Sequence, residues 1–242
     1  MSNELYQKDF KLFQQLTDEK PKLLKWLQLF LATEGVRSVL DIGAGNGDLA
    51  IPLSQCCQRY QAVEKHPEYA KILRLAHIPV VEVAFPVRIG ETYDLVLLSH
   101  VLARAQEKWQ PVLDAAWETV EPSGTLLIVT YRGGEDDWTK LVRGIGRDES
   151  DYNRTTYQLL LSYLQNLGNV RVDRLESVVS SASLDEMVGA LSFVASGGVD
   201  ERKAEFLEQR QIVEQLLNRR YRHEDSTYRF PFQHYLVQVK RA

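Results

Sequence analysis

The chain of 242 residues contains only two cysteines, Cys56 and Cys57, and they are adjacent. Neighbouring cysteines rarely bridge each other, and no metal-type spacing surrounds these two, so a disulfide framework is excluded. Free, buried thiols in a reducing cytoplasm are expected, and no metal. Long apolar runs are scarce as well. Stretches such as Leu95-Val96-Leu97-Leu98 fall far short of the roughly 20 residues that span a bilayer. Met1-Ser2-Asn3-Glu4 lacks the basic start and apolar core of a signal peptide. There is no excess of positive charge: 29 Lys and Arg stand against 33 Asp and Glu, a net charge of −4. This balance does not suit a general nucleic-acid binder or a protein held on anionic lipid. The expected partner is a small molecule, with no nucleic acid and no membrane, for a monomer or homodimer.

With 44% hydrophobic and 26% charged residues, the composition is that of a globular chain able to bury a core. No repeat or low-complexity segment is visible. Apolar residues at helical spacing (Leu5, Phe10, Phe13, Leu16, then Leu23, Leu24, Leu27, Phe30, Leu31) predict helices over 4–16 and 21–34, the second closed by Gly35. Strands follow at 38–42, 60–64, 80–83, 93–98 and 124–131, alternating with helical runs at 47–57, 67–76 and 109–120. Such alternation predicts a mostly parallel sheet with helices on both faces. Beyond a loop at 132–137 come helices at 138–145 and 156–167, then a strand at 170–179. Helices at 184–195 and 201–219 are separated by Ser196-Gly197-Gly198, and a last strand occupies 232–240. The helices outside the minimal sheet are its expected cover at the carboxyl edge, where open α/β sheets bind ligands.

The strongest chemical signal is Val39-Leu40-Asp41-Ile42-Gly43-Ala44-Gly45-Asn46-Gly47-Asp48-Leu49. A strand runs into a turn with glycine at every second position. Glycine removes the Cβ that would hold a ligand off the backbone and tolerates positive φ. Exposed amides at the following helix start favour an electron-rich ligand. Glu64 ends the second strand, where its carboxylate can accept hydrogen bonds from the vicinal hydroxyls of a ribose. A dinucleotide fingerprint would read G-x-G-x-x-G, whereas these glycines read G-x-G-x-G with Asp41 two places ahead.

That pattern resembles motif I of the class I S-adenosylmethionine-dependent methyltransferases. The resemblance runs through Glu64, Tyr93-Asp94-Leu95-Val96-Leu97-Leu98 and Gly124-Thr125-Leu126-Leu127-Ile128-Val129 to the closing strand. It implies an α/β fold with a Rossmann-like seven-stranded sheet and an antiparallel last strand. It also implies one methyltransferase domain over 1–242: a helical cap at 1–35, a cofactor-binding core at 36–131, and a C-terminal part at 132–242 with a helical insertion at about 183–220. S-adenosyl-L-methionine is the implied cofactor, held by Asp41, Gly43, Ala44, Gly45, Glu64, Lys65, Tyr69, Phe85 and Ser99. Where many members carry an acid after the third strand, this chain has Ala84-Phe85-Pro86. The adenine contact is therefore expected from backbone or from an apolar slot at Phe85.

Leu98-Ser99-His100-Val101-Leu102 replaces the Asn/Asp-Pro-Pro-Tyr/Phe signature of amide and exocyclic-amine methylation, which counts against DNA adenine and protein glutamine as acceptors. Short stretches are similar to the histamine N-methyltransferase family: Tyr6, Phe10, Phe13 and Glu19 near the start, then Gly133-Gly134, Trp138-Thr139-Lys140-Leu141 and Gly146-Arg147. Asp185-Glu186 and Leu191-Ser192-Phe193 continue the likeness. It implies that Glu19, His100 and either Gln233 or His234 hold a small amine, with Glu19 and His100 in catalytic roles. An amine or imidazole acceptor also calls for aromatic walls, for which Tyr6, Phe10, Phe13, Tyr131, Trp138, Phe193 and Phe232 are candidates. The expected function is methyl transfer to a small-molecule nitrogen, by in-line displacement that rests on proximity and orientation. The alternatives are an O-methyltransferase with His100 as base, and a non-catalytic cofactor-binding regulator.

Overall fold

A computed structural model describes residues 3–102, 109–131, 136–146, 150–197 and 199–241, with side chains for all of these except 3–7 and 150–156. Seven strands form one sheet: β1 (Ser38–Ile42), β2 (Arg59–Val63), β3 (Val80–Val81), β4 (Tyr93–Ser99), β5 (Val120–Tyr131), β6 (Asn169–Ser181) and β7 (Tyr228–Lys240). Their order is β3-β2-β1-β4-β5-β7-β6. β1 pairs in parallel with β2 and β4, and β4 in parallel with β5. β7 returns antiparallel to β5, so that Tyr131 faces His234 across the ladder. Every residue of β1 is buried, polar Ser38 and Asp41 included, as befits a central strand of a parallel sheet covered on both faces. The order reverses between β1 and β4, and in open α/β sheets the crevice at such a reversal is where ligands sit. The segments leaving these two strands are 43–47 and 99–101.

The helices in chain order are α1 (Asn3–Leu16), α2 (Glu19–Glu34), α3 (Ala50–Ser54), α4 (Pro67–Leu75), α5 (Trp109–Glu118), α6 (Asp137–Gly144), α7 (Ser150–Leu167), α8 (Leu184–Ser196), α9 (Asp200–Glu208) and α10 (Arg210–Arg220). Chain contacts group the residues into two compact units. One comprises Lys20–Tyr131, Gln158–Leu175 and His234–Ala242. Its core joins Leu23, Leu27, Phe30 and Leu31 of α2 to Val39, Leu95, Leu97, Leu127 and Leu236 of the sheet. Burying each such side chain contributes about 1.5–3 kcal/mol, which is why α2 needs only one apolar face to be held. The other comprises Met1–Glu19, Arg132–Tyr157 and Glu176–Gln233. There the end of α1 is strapped to β6: Thr17 bridges Val179, and the Asp18 carboxylate accepts from the Val178 N–H at 2.7 Å. Lys203 of α9 pairs with Asp9 of α1, both largely shielded from water. Asp136 caps α6 by accepting from the Thr139 N–H, and Ser183 caps α8 by accepting from that of Glu186.

Several boundaries differ from the sequence expectation. The run at 47–57 shrinks to α3, because Pro52 has no N–H to give and the chain leaves the helix after Ser54. The cysteines beyond it are free, but Cys56 is exposed and Cys57 half-buried rather than buried. The helix at 201–219 breaks at Gln209 into α9 and α10, with neither glycine nor proline to mark the break. β5 begins at Val120, already opposite Tyr93, and its pairing shifts register before Thr125 meets Leu95. β3 is confined to Val80–Val81, while β7 starts early, with Tyr228, Phe230 and Phe232 buried in alternation. Arg132, Gly133, Gly134, Arg147 and Gly198, and the Tyr6 side chain, lie outside what the structure describes.

Candidate cofactor and acceptor site

The turn after β1 is held in place by the end of β2. The N–H groups of Gly43 and Ala44 both donate to the Val63 carbonyl, at 2.7 and 3.3 Å. Glu64, 5% exposed, completes the closure. Its Oε2 accepts from the Gly45 N–H and its Oε1 from the His66 N–H, each at 2.8 Å. The amides of residues 43 to 45 are thus used internally. What the turn offers is room. Gly45 has φ +61°, and a Cβ built on it would meet no atom within 4 Å. Gly43 is different: a Cβ there would stand 2.7 Å from Val101 Cγ2, so its glycine is required by packing against the segment after β4. Each Glu64 oxygen retains a second lone pair, so the carboxylate is pre-oriented and still able to accept hydroxyls.

Asp41 lies within β1, 2% exposed, and its Oδ2 accepts from the Tyr60 hydroxyl at 2.7 Å. Burial pushes this carboxyl up from 3.8 to about 6, against the Tyr60 hydrogen bond and the charge of Lys20, with the charge of Glu64 adding to the rise. Tyr69, in the first turn of α4, packs edge-on to His66 at 5.7 Å. Burial and the carboxylates of Glu68, Glu64 and Asp48 raise its phenol. Lys65 is exposed and Phe85 half-buried. Ser99 closes β4 with its Oγ shielded from solvent and without a hydrogen-bond partner among the described residues.

Immediately after β4, His100 takes the left-handed conformation, φ +57°, while its N–H donates to the Val129 carbonyl at 2.9 Å. A histidine adopts this conformation more readily than most side chains, but it still costs energy. The result is an imidazole stacked on Tyr131 at 4.6 Å and crossed with His234 at 5.4 Å and 70°. Tyr131 and His234 are themselves 5.0 Å apart, as their paired register dictates. His234 is 1% exposed. Two imidazoles and a phenol thus converge at the ends of β4 and β5 and beside the antiparallel return of β7.

The remaining predicted residues fall in the other unit. Phe10 and Phe13 pack on Phe193 at 5.8 and 5.7 Å, and Phe13 meets Phe232 edge-on at 6.3 Å. Trp138 lies 5.7 Å from Phe232 and 6.3 Å from Phe206. These rings form one aromatic cluster across α1, α6, α8, α9 and the start of β7. Glu19 is 3% exposed at the start of α2, with its N–H donating to Thr17 Oγ1. The Gln233 amide donates to Glu176 at 2.8 Å. Sequence reasoning missed Tyr60, His66 and Val101. Tyr60 had a signal: in parallel register Asp41 faces Ala62, two residues on from Tyr60, so both side chains emerge on one face.

A methyltransferase domain family model matches residues 12–187, well over half the chain. No curated protein matches. Among solved structures, the YcgJ protein of Bacillus subtilis is 17% identical, covering 88% of this chain and 97% of its own, with a TM-score of 0.57. A putative methyltransferase from Bacillus halodurans is 15% identical over 90% and 99%, with a TM-score of 0.54. The plantazolicin methyltransferase BpumL, solved in complex with a pentazolic desmethylPZN analogue and S-adenosylhomocysteine, is 11% identical over 98% and 91%, with a TM-score of 0.55. These findings reach the class and not the narrower histamine N-methyltransferase likeness. With the family model spanning β1 to β6 and the turn after β1, the chain belongs to the class I S-adenosylmethionine-dependent methyltransferases.

Proposed function

We propose that the protein transfers the methyl group of S-adenosylmethionine to a nitrogen of a small-molecule acceptor, an amine or an imidazole. The observation that carries this reading is Glu64, a buried carboxylate locked by the Gly45 and His66 amides beside a turn that leaves open space at Gly45. Residues so arranged fit an adenosyl ligand: a pre-oriented acceptor pair for the ribose hydroxyls and bare backbone alongside. Ser99, whose shielded Oγ has no hydrogen-bond partner among the described residues, supplies a further polar contact. When bound, S-adenosylmethionine supplies an electrophilic methyl on a sulfonium. The departing thioether is neutral and needs no proton, so the protein's task is alignment. His100, Tyr131 and His234 present N–H, O–H and lone-pair edges to orient the acceptor and keep its lone pair unprotonated. Glu19, Phe10, Phe13, Phe193 and Trp138 keep their assignment toward the acceptor, the carboxylate to orient a cationic or N–H-bearing group and the rings to desolvate it.

Titration calorimetry with S-adenosylmethionine and S-adenosylhomocysteine tests the first half. The wild type should bind both, and Glu64→Gln at least tenfold more weakly, because one charge-assisted acceptor is lost. A wild type that binds neither ends the proposal. A screen of amines, imidazoles and phenols for S-adenosylhomocysteine release tests the second half. Turnover of phenols alone, with a rate falling as His100 protonates, would replace this reading by O-methylation. Binding without turnover on any acceptor would make the protein a cofactor-dependent regulator.

A further inference from the structure

Nothing in the spacing of the chain points to a metal, since His100 and His234 lie far apart in sequence and neither has a ligand-type neighbour. The fold brings them together. The antiparallel pairing of β7 with β5 sets His234 beside Tyr131, and the left-handed turn at His100 swings its ring onto the same spot. Potential donor nitrogens of the two imidazoles come within 4.8 Å of one another. A neutral imidazole carries a lone pair on one ring nitrogen and a proton on the other, and it is the commonest protein ligand for transition metals. Two such nitrogens on one ion, each about 2.0–2.1 Å away, stand about 3.3 Å apart in tetrahedral geometry. Tyr131, stacked at 4.6 Å, backs the His100 ring on one face.

The histidines' surroundings agree with a ligand role. His234 is buried at the end of a rigid ladder, and rigid elements hold metal ligands better than loops do. The His100 backbone is kept in a costly conformation by the Val129 carbonyl, which fixes the direction of its side chain.

We propose that His100 and His234 together bind one divalent transition-metal ion of the zinc, cobalt or nickel class, for which imidazole is a preferred donor. Two protein ligands leave coordination positions open to water or to the donor atoms of the acceptor, so in the metal-loaded protein the ion takes over the orienting role given above to the His100 and His234 lone pairs. The site is distinct from the turn at Gly45 and Glu64, so ion binding stands or falls independently of cofactor binding.

The test uses the full-length protein freed of metal and titrated with Zn2+ or Co2+ alone. Calorimetry should show one ion per chain, and the Co2+ form should develop a visible d–d band of low-symmetry nitrogen coordination. The chain has five histidines, the others being His66, His77 and His223. Replacing those three with alanine should leave affinity within about threefold, whereas His100→Ala with His234→Ala should weaken it at least a hundredfold. S-adenosylhomocysteine binding by the double variant reports that it is folded. Should that variant not fold, X-ray absorption of the Zn2+-loaded wild type decides, with outer-shell scattering from two imidazoles expected. No stoichiometric binding by the wild type overturns the proposal. So does binding that survives in the double variant and vanishes in the triple one, or a zinc spectrum with fewer than two imidazoles.

Discussion

Replacing Asp41 with asparagine should stabilise the protein, by an amount that grows with pH. The carboxyl sits inside β1 with no exposure to speak of, and burial lifts it from 3.8 to about 6 despite the Tyr60 hydrogen bond and the charge of Lys20. In the unfolded chain it ionises near 3.8. Below that value both states hold the proton and no penalty exists. Above about 6 both are ionised, and the folded state bears the whole cost of a desolvated carboxylate. Stability is therefore lost as pH rises from the unfolded to the folded value, the reverse of the usual acidic side chain. At 1.36 kcal/mol per pH unit the full amplitude is about 3 kcal/mol, most of which develops between pH 4 and pH 8. Asparagine has the same shape and can accept the Tyr60 hydroxyl, yet never ionises. Urea denaturation of both proteins at a series of pH values isolates the effect, because every other group cancels in the difference. The variant's advantage should climb between pH 4 and 6.5 and then level. An advantage that stays flat would show that Asp41 ionises alike in both states, and one that declines with pH would show a net favourable partner for the charge; either result refutes the burial argument.

Tyr60→Phe removes the hydroxyl that holds Asp41 down, so the same pH series should place its transition above 6, with about 1–3 kcal/mol of stability lost. Asp94→Ala should act with the opposite sign. Burial alone would raise Asp94, but the N–H groups of Arg37 and Ser38 and the Ser38 hydroxyl, at 2.9 to 3.0 Å, overcome it and hold this carboxyl below 3.8. Its contribution is present above pH 3.8 and fades as pH falls through the lower folded value. The variant should cost about 1–3 kcal/mol at pH 7 and less in acid, read by denaturation. Gly45→Ala should cost only about 1 kcal/mol of stability, for a left-handed alanine that touches nothing, yet weaken S-adenosylhomocysteine binding tenfold or more in calorimetry. Unchanged affinity would mean that the ligand does not approach the turn at Gly45.

What could be read from the chain and what could not divides along a physical line. The parallel half of the sheet was legible because its information is local. β1 was placed to the residue, since a short strand with Val39, Leu40 and Ile42 running into a glycine turn admits few alternatives. Glu64 was legible for the same reason: the end of β2 must lie beside the end of β1 in a parallel pair. What Glu64 does was not, because its two amide partners depend on turn geometry that glycines leave undetermined. The early start of β7 was hidden by Pro231, which argues against a strand interior. The ladder with β5 begins only at His234, so the proline sits where no β5 partner is needed. The imidazole pair shows the limit most clearly. Its existence requires that β7 insert beside β5, in one register out of many, and a slip by one residue would send the His234 ring to the opposite face. Periodicity identifies a strand but is silent on its neighbour, so a site assembled across non-local pairings stays invisible until the pairing is known. The cofactor turn is written in contiguous residues; the chemistry proposed for the acceptor is written in the order of the strands.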